Sequence, residues 1–460
     1  MSTLTIAIIV VFVLGYALIA MESLTKVNKA AVALLMFVFC WTLFMVDPAS
    51  FVQLMHPDFT GTGEKVASFV NSLITEHLGD TSATLFFLMG AMTIVEIVDQ
   101  NGGFNWVKNV MQSKTKRGLL WKIAFMTFFL SAILDNLTTS IVMVMILRKL
   151  VQDKHDRMIY ASLVIIAANS GGAFSPIGDV TTIMLWNSGM ITAGGVISEI
   201  FIPSLISMLI PAFLLQMLLK GNIQNDDLSN QMTGDNEVLE FNGIQRKIVF
   251  AVGVGGLCSV PLFHFFTNLP PFAGILLVLG ILWTITEVFY HNLHKKKGSE
   301  MSFSKRVSSL LSRIDMSTIL FFLGILMAVA CLEEVGVLKE LGSGLNTAFN
   351  GNHYAVTGII GVLSAIVDNV PLVAGSMGMY PIGVEPDMAV DGIFWQLLAY
   401  CAGVGGSMLI VGSAAVVVMG LEKITFGWYM KRVTWIAFVG YIAGILSYWV
   451  IRSFILTNPL

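Results

Sequence analysis

The sequence predicts an all-α polytopic membrane protein made of two inverted repeats, on three observations. First, the 460 residues are 56% hydrophobic and 12% charged, with a mean hydropathy of +0.80, whereas soluble domains carry about 25% charged residues. Second, apolar runs of roughly the 20 residues needed to span a bilayer recur along the whole chain. Third, SAILDNLTTS at 131–140 returns as SAIVDNVPLV at 364–373, each with an Asp-Asn pair inside apolar sequence.

In chain order, the candidate spans are 4–21, 28–46, 82–99, 159–190, 199–219, 246–265, 270–290, 315–333, 391–420 and 432–452. The first lacks a basic leader and an A-x-A site, so it is expected to be a retained helix and not a signal peptide. Two further apolar blocks, 119–150 and 355–380, hold the Asp-Asn pairs. Lys108, Lys114, Lys116 and Arg117 precede the first block, and Arg148, Lys149, Lys154 and Arg157 follow it. Positive flanks face the cytoplasm, so both ends lie on one side and the block is expected to be a re-entrant hairpin. The second block has neutral or acidic flanks (Asn352, His353, Glu385, Asp387, Asp391) and is expected to enter from outside.

The polar segment 221–245 then links a first repeat, 1–220, to a second, 246–460. Each has about five crossings plus one hairpin. Five is odd, so the second half is inverted and both termini are expected outside. SGGAFSPIGD (170–179) pairs with VGGSMLIVGS (404–413), and TLFFLMG (84–90) with TILFFLG (318–324). Gly171, Gly172, Pro176 and Gly178 should break the 159–190 span near the midplane, with a matching break in 391–420. Inverted repeats with broken helices are a transporter architecture.

The polar residues at these breaks are the candidate site. At the first tip they are Ser131, Asp135, Asn136 and Thr138; at the second, Ser364, Asp368 and Asn369; at the broken helices, Asn169, Asp179, Thr181, Thr182, Ser407 and Ser413. Each acid has two readings. Asp135 and Asp179 could cap a half-helix, or they could be cation ligands, since a carboxylate at mid-depth costs roughly 2.5–3.5 kcal/mol and suggests use. Glu96 is either a proton relay or an internal hydrogen-bonded acid. Asp99, Glu333 and Glu334 are expected at the interface, in water, and His155 in a solvated basic turn. No Lys or Arg is expected at the depth of Asp135, Asp179 and Asp368, so the site calls for cations or protons. Oxygen ligands suit Na⁺ or Li⁺ over soft metals.

These motifs resemble those of the NhaD-type sodium/proton antiporters of the ion transporter superfamily, which also contains dicarboxylate and arsenite carriers. SAILDNLTTSIVMVMILRKL, AANSGGAFSPIGDVTTIMLW and SAIVDNVPLVAGSMGMY carry the resemblance. It implies a dimerising scaffold domain and a transport domain that moves as an elevator. It also implies an ion site drawn from Ser131, Asp135, Asn136, Asn169, Asp179, Thr181, Thr182, Ser364, Asp368 and Asn369. The second tip reads Asn-Val-Pro where the first reads Asn-Leu-Thr, so two equivalent ion sites do not follow.

The expected function is Na⁺(Li⁺)/H⁺ antiport in a plasma membrane of bacterial type, by a homodimer. The alternative is a sodium-coupled carrier of a small anion or carboxylate. A channel would conduct independently of pH, and an enzyme would need a His/Ser or metal constellation that the sequence does not offer. No Walker A, Rossmann or nucleic-acid-binding pattern stands in a suitable context, so no nucleotide, nucleic acid or cofactor is expected. Cys40, Cys258, Cys331 and Cys401 have neither disulfide nor metal spacing.

Overall fold

The computed structural model describes residues 2–104, 107, 110–111, 113–219, 221, 241–297, 307–365, 368–383, 385–409, 418 and 421–456. The described residues fold into helices: α1 (Thr3–Ala20), α2 (Lys29–Phe44), α3 (Pro48–Met55), α4 (Glu64–Gln100), α5 (Lys116–Leu134), α6 (Asn136–Leu150), α7 (Lys154–Ala173), α8 (Val180–Asn187) and α9 (Ala193–Leu215). Then come α10 (Gly243–Thr267), α11 (Pro271–Lys297), α12 (Met316–Glu334), α13 (Val337–Ala348), α14 (His353–Leu363), α15 (Asn369–Met379), α16 (Ile393–Gly405) and α17 (Trp435–Ile451).

Seven described helices are long and apolar enough to cross a membrane, or eight if the bent pair α2–α3 is one span. That is fewer than the ten crossings expected. Helices α1, α6, α14 and α16 are apolar but shorter over their described residues, and polar or glycine-rich sequence interrupts the long apolar blocks. The expected span 82–99 is the second half of α4, a helix of 37 residues and so about 55 Å long at 1.5 Å per residue. Its first half is polar enough to escape a hydropathy reading.

The helices pack in two groups. In one, α2 lies along α12 and α1, while α4 lies along α11 and α10. In the other, α5 packs on α7, α14 on α16, and α9 on α17, with α7 touching α6, α9 and α16. The groups meet where α15 lies against α12 and α13, and where α8 lies against α4.

Glycines set the close contacts, and they recur in both halves. A Cβ on Gly171 of α7 would lie 2.1 Å from the Phe128 carbonyl oxygen of α5. A Cβ on Gly405 of α16 would lie 2.1 Å from the Gly361 carbonyl oxygen of α14. Backbone rests on backbone at both places. In the first group Gly324 of α12 likewise lies against the Ala33 backbone of α2, while Gly90 of α4 makes room for the Ile275 side chain of α11.

Glu334 departs from expectation. It is buried, 7% exposed, and its carboxylate is held by His56 Nε2 at 2.8 Å and His77 Nε2 at 2.9 Å. The reason is the 90° turn between α2 and α3, which folds His56 back onto α4. Of the other residues expected at membrane ends in water, His155 is exposed, whereas Asp99 and Glu333 are half-buried.

Candidate functional site

Residues 174–179 lie between α7 and α8, where Pro176 and the glycines stop the helix. Gly172 and Gly178 touch backbone to backbone: a Cβ on Gly172 would fall 2.5 Å from the Gly178 oxygen. This tight crossing turns Asp179 inward. Asp179 caps α8, its Oδ1 accepting the Thr181 N–H at 3.1 Å, and it is 1% exposed.

Asp179 does more than cap. Asn136 Nδ2 donates to its Oδ2 at 2.9 Å and to Asn169 Oδ1 at 3.0 Å. Asn369 Nδ2 reaches both Asp179 oxygens, at 3.2 and 3.3 Å. Asn169 Nδ2 in turn donates to Ser407 Oγ at 3.0 Å. One carboxylate thus receives amides from both Asp-Asn tips, and Asn136 extends the network through Asn169 to Ser407, one residue from each broken helix. No Lys or Arg among the described residues pairs with it. The donors stabilise a negative charge without neutralising it.

The hydroxyls around it fall into two sets. Ser131 Oγ donates to the Ala168 carbonyl at 2.6 Å, and Ser364 Oγ to the Ala402 carbonyl at 2.7 Å. Each serine ties its own tip to the broken helix beside it. Thr182 Oγ1 donates to the Asp179 carbonyl at 2.8 Å. By contrast, Thr181 Oγ1, two residues after Asp179, is buried with no hydrogen-bond partner, which leaves an oxygen atom able to meet a cation.

The two tip aspartates differ. Asp135 lies between α5 and α6 with φ 78° and ψ 158°. Its Oδ1 accepts the Thr138 N–H at 2.8 Å and its Oδ2 the Thr138 hydroxyl at 2.7 Å. Asp135 therefore caps α6 with both oxygens. Asp368 makes no side-chain cap to α15. Its Oδ1 is buried without a partner, and its Oδ2 lies 3.9 Å from Lys29 Nζ. The expectation that no Lys or Arg reaches this depth is not met at Asp368, because the start of α2 comes up against the second tip. Lys29 had been legible only as one of several flanking basic residues.

Glu96 is half-buried on α4, and no hydrogen bond around Asp179 runs to it among the described residues. Ser413 lies outside the described residues. The structure brings together Asn136, Asn169, Asp179, Asn369 and Ser407, with Thr181 and Thr182 on the adjoining turn. Ser131 and Ser364 brace this cluster, Thr138 serves Asp135, and Asp368 faces away.

Similarity to known proteins gives the family. A family model described as citrate transporter matches residues 16–397. Sodium/proton antiporter 2 of Arabidopsis thaliana is 41% identical over 446 residues, covering 96% of this chain and 99% of that protein. Sodium/proton antiporter 1 of the same plant is also 41% identical, over 97% of this chain and 73% of its own length. The Na⁺/H⁺ antiporter NhaD of Vibrio cholerae is 28% identical, over 97% of this chain and 91% of its own. The chain belongs to the NhaD-type sodium/proton antiporter family. It is accordingly a multi-pass membrane transporter of the ion transporter superfamily and not an enzyme. For a member of the NhaD-type family the site has a fitting composition: one buried acid, neutral amides and free hydroxyls, with no redox or nucleophilic group.

Proposed function

We propose that the protein exchanges Na⁺ or Li⁺ for H⁺ at Asp179, by competition of the two cations for one carboxylate. The observation that carries this reading is the convergence of Asn136 and Asn369, one from each tip, on a buried acid that no described cation neutralises. Na⁺ takes oxygen ligands, and the carboxylate and the spare Thr181 hydroxyl offer them. A proton on Asp179 removes the charge that draws Na⁺, so raising the pH frees the site for sodium. Asp135 and Asp368, both close enough to act on Asp179 electrostatically, add negative potential that favours either cation.

Alternating access then comes from movement of the second helix group against the first. The recurrence of the Ser131 and Ser364 braces and of the Gly171 and Gly405 contacts supports reading the halves as inverted repeats. The division of the helices into two packed groups supports an elevator over a gate inside one group. On this reading the Asp-Asn tips are re-entrant hairpins, both termini are outside and the protein works as a homodimer in a plasma membrane of bacterial type. A citrate substrate, as the family model's description offers, would meet like charge from Asp179, so the relatives' cation chemistry is preferred.

The test is proton flux in proteoliposomes. Na⁺ or Li⁺ is expected to dissipate an acid-inside pH gradient, and more strongly at the alkaline end of roughly pH 6–9, a range bracketing perturbed carboxylates. K⁺ serves as the comparison. Flux that depends on added citrate and not on Na⁺ alone would transfer the protein to the anion-carrier reading.

A further inference from the structure

Among the described residues, one contact sets a lysine against a tip aspartate, and it links the two helix groups. Lys29 opens α2; its Nζ lies 3.9 Å from Asp368 Oδ2 and 4.4 Å from the centroid of the Phe321 ring on α12. The ammonium is thus held between an anion and an aromatic face. Its backbone is fixed in the first group. The Lys29 N–H donates to Glu22 Oε1 at 3.1 Å, and neighbouring Asn28 caps α2 and accepts from Ser317 Oγ at 3.0 Å. Asp368 belongs to the second group, and the next residue, Asn369, reaches Asp179. The pair is therefore one residue from the site.

It is also a loose pair. At 3.9 Å it is too long for a hydrogen bond, and the other Asp368 oxygen is buried with no partner, as is the Tyr16 hydroxyl of α1 beside it. Asp135, the equivalent residue at the first tip, spends both oxygens on Thr138. Asp368 is spared any such structural duty. A carboxylate with a free oxygen, faced by a displaceable cation, can exchange that cation for another.

We propose that Lys29 is a positioning residue: an internal counter-cation that holds Asp368 until Na⁺, arriving at the Asp179 site beside it, takes over as the counter-charge, so that sodium binding releases the second tip from α2 and α12. The proposal rests on the antiport reading above. The lysine competes with sodium, and the apparent Na⁺ affinity is reduced by the fraction of protein in which the pair is closed. The bond that must break for the second group to move is the one that sodium replaces.

The test measures half-saturating Na⁺ for proton flux in proteoliposomes, with ²²Na⁺ binding to solubilised protein as a second readout. Lys29→Gln is expected to lower half-saturating Na⁺ by about threefold or more, as the fraction of protein free of the Lys29–Asp368 pair rises toward one. Lys29→Arg keeps the charge and is expected to stay near wild type. A purely structural lysine would change the yield of folded protein and leave half-saturation in place. An unchanged value in Lys29→Gln, or an Arg variant that behaves like Gln, overturns the proposal while wild-type exchange keeps the antiport reading standing. Wild-type protein with no Na⁺-dependent flux overturns both. Should Lys29→Gln fail to accumulate, Phe321→Leu decides: it removes the ring and keeps both charges. Lower half-saturation supports the proposal and an unchanged value overturns it.

Discussion

Asp179→Asn is expected to abolish Na⁺/H⁺ exchange in protein that still folds. Asn caps helices nearly as well as Asp, so the Thr181 N–H keeps an acceptor and α8 keeps its start. The amide has no charge to attract Na⁺ and no group to carry a proton. It also places an NH₂ among the Asn136 and Asn369 NH₂ donors that now converge on the carboxylate. The loss should be complete within detection in a ²²Na⁺ or proton flux assay, at protein levels matched by gel filtration. Exchange at the wild-type rate would remove Asp179 as the ion site and leave the fold intact without its mechanism.

The second large effect is on folding. Gly171→Ala and Gly405→Ala each place a methyl group 2.1 Å from a carbonyl oxygen of the neighbouring helix. Neither helix can give way cheaply, because the obstacle is backbone and not the end of a side chain. Overpacking costs typically 1–3 kcal/mol, and separating two helices whose contact places the site should exceed that. Each variant is expected to lose most of its folded yield, or to melt many degrees lower by thermal-shift measurement. Gly255→Ala, where a Cβ meets nothing within 4 Å, is the control.

Both effects concern positions that the sequence marked, but marked unequally. Composition alone announced the membrane class. The Asp-Asn repeat and the glycine-proline break led to the site because polar residues are costly in apolar surroundings and therefore conspicuous. The roles within the site were less legible. The two tip aspartates look alike in sequence, yet one caps its helix and the other faces a lysine, a difference that depends on a partner more than 300 positions away. The asparagines were read beside the acids, and they turn out to form the ring. Glu334 looked interfacial because its two histidine partners are distant in sequence and only the turn after α2 brings one of them back. Segment lengths were misjudged at α4, whose first half is too polar for a hydropathy window but is helical all the same.

One residue at the first tip bears a load that its neighbours do not. With φ 78° and ψ 158°, Asp135 sits in a backbone region that is essentially glycine's own, where another residue stores about 1–3 kcal/mol of strain. Replacing an N-cap Asp by Gly forfeits only a few tenths of a kcal/mol. On balance Asp135→Gly should melt at a higher temperature than the wild type. The same change removes a negative charge next to Asp179, and exchange should weaken as stability rises. A chain selected for robustness alone would have taken the glycine; the tension at this tip measures how much stability is given up to keep a carboxylate there.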